Sequence, residues 1–213
     1  GVAQATLDLP NARLWSDQDP YLYDLTVQTR SDCYSLKVGV RSIAVRDGQI
    51  LLNGEPVKLN GFGRHEDFFA SGKGLNLPLM VKDYGLMRWT GANSYRTSHY
   101  PYSEEEMQLA DREGFLIIDE IPAVSLQFDN PAIIAERLRM CRRQIEELIQ
   151  RDKNHASVVM WSVANEPMPT DMIARFTGGK VDTQMDAASA DFLRGLVEYA
   201  RGLDPTRLVT LVG

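Results

Sequence analysis

The chain is poor in the residues that hold metals or covalent cross-links. Its 213 residues include three histidines and two cysteines, Cys33 and Cys141, with no CxxC spacing. Each cysteine reads as a small buried or half-buried side chain, so neither a disulfide nor a zinc site is expected. Positive charge is in deficit: 23 Lys and Arg face 29 Asp and Glu, a net charge of −6, and no dense basic run occurs. That excludes the electrostatic footprint of a nucleic-acid binder. Long apolar runs are also missing. Phe115 to Ile118 and Val158 to Trp161 fall far short of the roughly 18 to 20 residues that a membrane span needs. No charged-then-apolar leader opens the chain at Gly1, and a cytoplasmic location is the expectation.

What is present is ordinary for a folded chain of one or two domains, with 44% hydrophobic and 24% charged residues. Residues 20–46 read as strands. Tyr23, Leu25 and Val27 alternate with polar residues, and after Arg30-Ser31-Asp32 so do Tyr34, Leu36, Val38 and Val40, which is an antiparallel hairpin with one wet face. Ile50 to Leu52 and Val57 to Leu59 flank Asn53-Gly54 as a second short hairpin. The expected domain boundary is near Arg46, giving residues 1–46 and 47–213.

From Leu59 onward strand-like and helix-like runs alternate, the pattern of βα units around a parallel sheet. The first strand ends in Gly61-Phe-Gly-Arg-His-Glu-Asp67, and its helix runs from Pro78 to Trp89 with Gly91 closing it. A second strand, Ala92 to Ser98, precedes a capping box, Ser103-x-x-Glu106, whose helix ends at Gly114. The third strand is Phe115 to Glu120. Its helix, Pro131 to Gln150, carries one apolar stripe of Ile134, Leu138, Cys141, Ile145, Leu148 and Ile149. Ser157 to Ala164 is apolar enough to be a strand covered on both faces. A polar loop at 168–186, a helix at 187–203 and a fifth strand at 208–212 complete the order.

Polar residues gather at the strand C-termini: Arg64, His65, Glu66 and Asp67; Arg96 and His99; Asp119 and Glu120; Asn165 and Glu166. That is how a (β/α)8 TIM barrel arranges its active site, yet residues 47–213 are too few for the usual ~250. The fold expected is α/β: the first half of a barrel, preceded by strands of an immunoglobulin-like β-sandwich. Glu166 is the most informative residue. A carboxylate closing a long apolar strand would sit in a low-dielectric mouth that suits a general acid. A loop Glu paired with a neighbouring Arg is the other reading of Asn-Glu-Pro taken alone.

Four segments carry a resemblance: Gly-Phe-Gly-Arg-His-Glu-Asp (61–67), Arg-Thr-Ser-His-Tyr-Pro-Tyr (96–102), Ile-Asp-Glu (118–120) and Val-Val-Met-Trp-Ser-Val-Ala-Asn-Glu-Pro (158–167). In order and spacing they resemble glycoside hydrolase family 2, and Leu14-Trp15-Ser16 with Pro20-Tyr21-Leu22-Tyr23 is similar to the family's immunoglobulin-like domain just before the barrel. Pro167 and Asp67 resemble the glucuronide-cleaving branch, its bacterial members especially, since galactosidases of the family tend to have Asn-Glu-Ser and a His in place of Asp67.

The resemblance implies a retaining glycosidase acting on β-D-glucuronides by double displacement. Glu166 would be the acid/base, and Asn165 would hydrogen-bond the sugar 2-hydroxyl. His65 and His99 would line the sugar pocket. Arg96 would keep the nucleophile carboxylate ionised, with Asp67, Asp119 and Glu120 supporting these groups from behind. His155 reads as structural. No metal or organic cofactor is implied, because His65-Glu66-Asp67 lacks the i, i+4 spacing of a helix-borne zinc pair. The family resemblance further implies a homotetramer when complete. It also places the nucleophile and an Asn-x-Lys element that reads the glucuronate carboxylate beyond Gly213. The 213 residues alone are thus expected to be inactive and marginally folded. Another family 2 enzyme, a β-galactosidase or β-galacturonidase, and a non-catalytic carbohydrate-binding or assembly fragment are the alternatives. The loop Pro122 to Asn130 is short, which predicts an accessible mouth shaped in part by residues 168–186.

Overall fold

A computed structural model describes residues 4–128, 130–167, 176–178 and 183–213. Most of the 168–186 loop, with the mouth it is expected to shape, lies outside the described residues. Tyr23–Gln28 (β1) and Cys33–Val38 (β2) form the first hairpin, in the register Tyr23↔Val38 to Gln28↔Cys33. Both of its faces are wet at the tip, where Val27 and Tyr34 are exposed. Cys33 is exposed too, contrary to the expectation, because it is the first β2 residue after the turn. Cys141 is buried.

Ile43–Arg46 (β3), Gln49–Leu52 (β4) and Glu55–Pro56 (β5) form a small antiparallel meander. Its first hairpin turns through Asp47 and Gly48, both at positive φ, so the pairing Arg46↔Gln49 spans the expected boundary. The parallel sheet follows: Gly61–Arg64 (β6), Ser94–Thr97 (β7), Leu116–Glu120 (β8), Val158–Asn165 (β9) and Leu208–Val212 (β10), neighbours in chain order. Between them run Leu77–Trp89 (α1), Glu104–Glu113 (α2), Pro131–Asp152 (α3) and Thr183–Leu203 (α4). Strand, helix and neighbouring parallel strand repeated in this order is the construction of a βα barrel.

Local chemistry sets the helix ends. Asn76 and Asn130 accept backbone N–H groups at the starts of α1 and α3, each followed by a proline in the first turn. At α2 the Ser103 hydroxyl accepts the N–H of Glu106 at 3.2 Å, but the reciprocal half of the capping box is not made by Glu106. Glu106 is fully buried and takes Arg64 instead, while the backbone N–H of Ser103 goes to the Glu66 carboxylate. Gly114 ends α2 at φ 72, where a Cβ would also stand 2.7 Å from Asp17 O.

The main core lies between sheet and helices, around Tyr84, Tyr95, Met107, Ile117, Ile145, Trp161 and Leu196. A second core fills the underside, where Trp15, Leu52, Leu116, Ala156 and Val159 join the sandwich segment to the strand N-termini. Five hydrogen bonds, made through Trp15, Asp111 and Arg41, brace that junction. Trp15, with no exposed surface, donates its Nε1–H to Asp111 O at 2.8 Å. The Asp111 carboxylate accepts His155 Nδ1 at 2.6 Å and the N–H of Ser157 at 2.8 Å. Arg41 donates to the carbonyls of Ala156 and Val158 at 2.9 and 2.5 Å. Gly39 permits the approach, since a Cβ there would come within 2.5 Å of Ala156 Cβ.

Burial of the His155 imidazole opposes its charge, but the hydrogen bond and charge of Asp111 outweigh it and hold the imidazole pKa above its ordinary value. A group raised in this way contributes stability that is complete below its unfolded pKa of about 6.5 and is lost as pH rises through the higher folded value. The melting temperature of the intact protein should exceed that of a His155→Gln variant by more at about pH 6 than at about pH 8. A gap independent of pH would show that the imidazole is not held as a cation.

Candidate active site

Where β7, β8 and β9 end, four polar side chains converge. Arg96 Nη1 donates to Glu120 Oε2 at 2.7 Å and to Asn165 Oδ1 at 2.8 Å. His99 Nδ1 lies 2.8 Å from Glu120 Oε1, and the Ser162 hydroxyl donates to Glu120 Oε2 at 2.7 Å. Glu120 has no exposed surface, and the three donors around it are what a buried carboxylate requires. His65 meets His99 edge to face, with ring centroids 5.4 Å apart. The Ser98–His99 peptide beneath them is cis.

Asn165 reaches this cluster through an irregularity. In a straight strand alternate residues share a face, so Ser162 and Asn165, three apart, would point to opposite sides. On β10, however, Thr210 pairs with Ser162 and Val212 with Asn165: three steps of β9 lie against two of β10. The extra residue is a bulge that returns Asn165 to the face of Ser162. Its amide is then fixed. A guanidinium offers donors only, so the Asn165 oxygen must face Arg96, and among the described residues no acceptor is recorded for the Nδ2 donors. The backbone N–H and C=O of Asn165 bond to Ala123 and Ser125.

Glu166 follows at φ 46, the left-handed region that a non-glycine residue enters only under constraint. Its N–H donates to Val212 O at 2.8 Å. The carboxylate is exposed, not sunk in an apolar mouth, because it stands past that last ladder bond. Among the described residues it makes no hydrogen bond or ion pair. The alternative of a loop Glu paired to a neighbouring Arg therefore has no contact in its support among the described residues.

The other strand-end residues divide. Alternation along β6 turns Arg64 away from the axis into a buried cluster between Asp83 of α1 and Glu106 of α2, at 2.7 and 2.6 Å, with its guanidinium 5.4 Å from the centre of the Tyr95 ring. Glu66 is half-buried, and burial with the nearby Glu106 charge pushes its carboxyl up, while the Ser103 N–H pulls the other way. Asp67, expected to support the sugar-contacting groups, is instead exposed on the α1 side of β6, in a cleft shared with Phe62, Asp83 and Thr90. Asp119 lies on the face of β8 opposite Glu120, bonded to Thr97. Among the described residues no group of three or more His, Cys, Asp or Glu could hold a metal ion. Nor is any helix among them long and apolar enough to cross a membrane.

Ser162 is a site residue the sequence reading leaves out. Its signal is there: a hydroxyl in the middle of a strand covered on both faces must find a buried partner. Arg96 is engaged differently from the expectation. Its charge already pairs with Glu120, so any further carboxylate would have to be met by Nε or Nη2, for which no hydrogen bond is recorded among the described residues.

Two family descriptions match the chain: "Glycosyl hydrolases family 2, TIM barrel domain" over residues 43–213 and "Glycosyl hydrolases family 2" over residues 1–41. The β-glucuronidases of Chlorocebus aethiops and Homo sapiens are 42% and 41% identical to it, over 98% of the chain and 32% of their own length. The chain thus spans about a third of the curated relatives it matches. Among solved structures, a β-glucuronidase of an uncultured Clostridium sp. superposes with a TM-score of 0.83 at 41% identity, covering 94% of this chain and 33% of that one. A Bifidobacterium dentium β-glucuronidase complexed with coumarin-3-O-glucuronide gives 0.82 at 39% identity, covering 95% and 32%. Mammalian and bacterial proteins match alike, so the bacterial leaning of the sequence motifs is not distinguished.

The charge network should be expensive to break. Replacing Glu120 by Ala leaves the half-buried Arg96 cation without its carboxylate and the buried Ser162 hydroxyl without its acceptor, and should cost about 3–5 kcal/mol in urea unfolding of the intact protein. Glu120→Gln, which keeps an acceptor, should cost less. Equal unfolding midpoints for Glu120→Ala and the unsubstituted protein would show that the network does not hold the strand ends.

Proposed function

Since the chain belongs to glycoside hydrolase family 2, we propose that it forms the acid/base side of the active site in a retaining β-glucuronidase. The observation that carries this reading is the end of β9: an exposed carboxylate, Glu166, directly after an Asn165 whose amide is oriented by Arg96. In the double displacement, Glu166 as the neutral acid protonates the glycosidic oxygen as the bond to the aglycone breaks. As carboxylate, it then takes a proton from the water that releases glucuronate from the nucleophile. Exposure of Glu166 suits both duties, since leaving group and water must each reach it. Asn165 Nδ2 is the donor for the sugar 2-hydroxyl, a bond that strengthens as positive charge develops on the ring.

Retention needs a second carboxyl group about 5–5.5 Å from the first. Glu120 does not qualify, because all three of its bonds are to fixed protein donors and none of its surface is exposed. The nucleophile is assigned to the part of the relatives' length that this chain does not span. Arg96, through Nε or Nη2, would face it, and His65 and His99 would line the sugar pocket. Similarity to β-glucuronidases over nearly the whole chain favours a glucuronide over a galactoside or galacturonide substrate.

In the intact protein Glu166→Gln should lower kcat/KM on an alkyl β-glucuronide by roughly 10²–10⁴. The loss should be much smaller on an aryl β-glucuronide whose leaving group needs no proton. Equal losses on both substrates would remove Glu166 from the acid role. Faster cleavage of the matching β-galactoside would remove the glucuronide assignment.

A further inference from the structure

β8 carries two adjacent acids with opposite surroundings. Glu120 faces the Arg96 network; Asp119 faces the helices and is equally buried. The Thr97 hydroxyl donates to Asp119 Oδ1 at 3.0 Å, and its oxygen accepts the backbone N–H of Glu120 at 2.8 Å. A hydroxyl has one proton, so that of Thr97 is committed to Asp119 and its lone pair to Glu120. Asp119 Oδ2 is buried with no hydrogen-bond partner among the described residues, and the carboxyl beside Asp119 is that of Asp152 at the end of α3. Asp152 is itself fully buried and accepts Nε and Nη2 of Arg151 at 2.8 and 2.6 Å.

Two carboxyl groups can bond only if one of them keeps a proton. Burial, then the charge and hydrogen bond of Asp152, push the Asp119 carboxyl well above its ordinary range, which assigns the proton to Asp119. Arg151 pulls the other way and is itself drawn on by Glu104 of α2, and His155 beyond α3 also lies in the field of Asp152.

We propose that Asp119 is a positioning residue: sharing one proton with Asp152, it fixes the Thr97 hydroxyl that anchors the backbone of Glu120, and through Glu120 it sets Arg96 and Asn165. The proposal rests on the glycosidase reading of that site. Asp119 touches no substrate. It acts from the far face of the strand, and what it needs there is a neutral group that accepts from Thr97 and donates to Asp152.

Asparagine meets that need and alanine does not. In the intact protein, Asp119→Asn should keep kcat on an aryl β-glucuronide within about threefold, whereas Asp119→Ala should lose on the order of ten- to hundredfold in kcat with KM little changed. Should Asp119→Ala fail to fold, Thr97→Val should show the same kcat loss and Thr97→Ser should restore it. The proton has its own readout. A carboxyl raised on folding loses stability as pH climbs above its unfolded value of about 4, so the melting temperature of Asp119→Asn should gain on the unsubstituted protein as pH rises. Asp119→Asn as damaging as Asp119→Ala, or a melting difference that ignores pH, would overturn the proposal. An unsubstituted protein that cleaves no glucuronide, while Asp119→Asn still gains with pH, would remove the proposed reaction and leave the shared proton standing.

Discussion

A guanidinium can only donate, and the strand-end site follows from where Arg96 must find acceptors. It takes Glu120 on one side and the Asn165 oxygen on the other, from a single nitrogen. Because Asn165 spends its oxygen there, only its amine remains for anything outside the protein. Glu120 is held from both neighbouring strands: Arg96 and, just past β7, His99 donate to its carboxylate, as does Ser162 on β9, while its own backbone N–H donates to the Thr97 hydroxyl. The geometry of an exposed carboxylate one residue later is thus inherited from a buried ion pair, a case in which such a pair serves placement more than stability.

The strand that delivers Glu166 is gripped at both ends by unlike means. At its start, neutral carbonyls and N–H groups of Ala156, Ser157 and Val158 meet Arg41 and Asp111, with Trp15 sealing the junction. At its finish, charged side chains take over. Between them the strand is apolar on both faces and packs into two cores, so displacement at one end has little slack in which to dissipate. The sandwich segment therefore has a physical route to the site that passes along β9, although it contributes no side chain there.

Much of this was legible in the residues. Period-2 alternation, Asn and Ser caps, and Gly114 are local signals, and the five parallel strands and their helices lie within a few residues of where those signals put them. The strand-end positions of Arg96, His99, Glu120 and Asn165 followed from the same reading. What escaped it depends on partners distant in sequence. Glu106 reads as a capping residue until Arg64 turns toward it. Cys33 reads as half-buried and Asp67 as a support for the sugar-contacting groups, yet both are exposed. Asp119 and Glu120 look alike as neighbours in Ile-Asp-Glu, and only the faces of β8 separate a proton-bearing carboxyl from an ion-paired one. The bulge in β9 leaves no mark in composition or hydropathy, because it is a matter of count against β10.

That bulge has a consequence for how this segment can vary over evolutionary time. Residues 162–165 can change identity one at a time, each substitution being judged on its own packing. Their number is tied to the bulge. Removing one residue would restore regular pairing with β10 and leave Ser162 and Asn165 two apart, still on one face, whereas adding one with the bulge kept would turn the amide next to the acid into the helix layer. Length change at this strand is therefore one-sided: a relative one residue shorter within 162–165 keeps the facing without the bulge, and one a residue longer loses it.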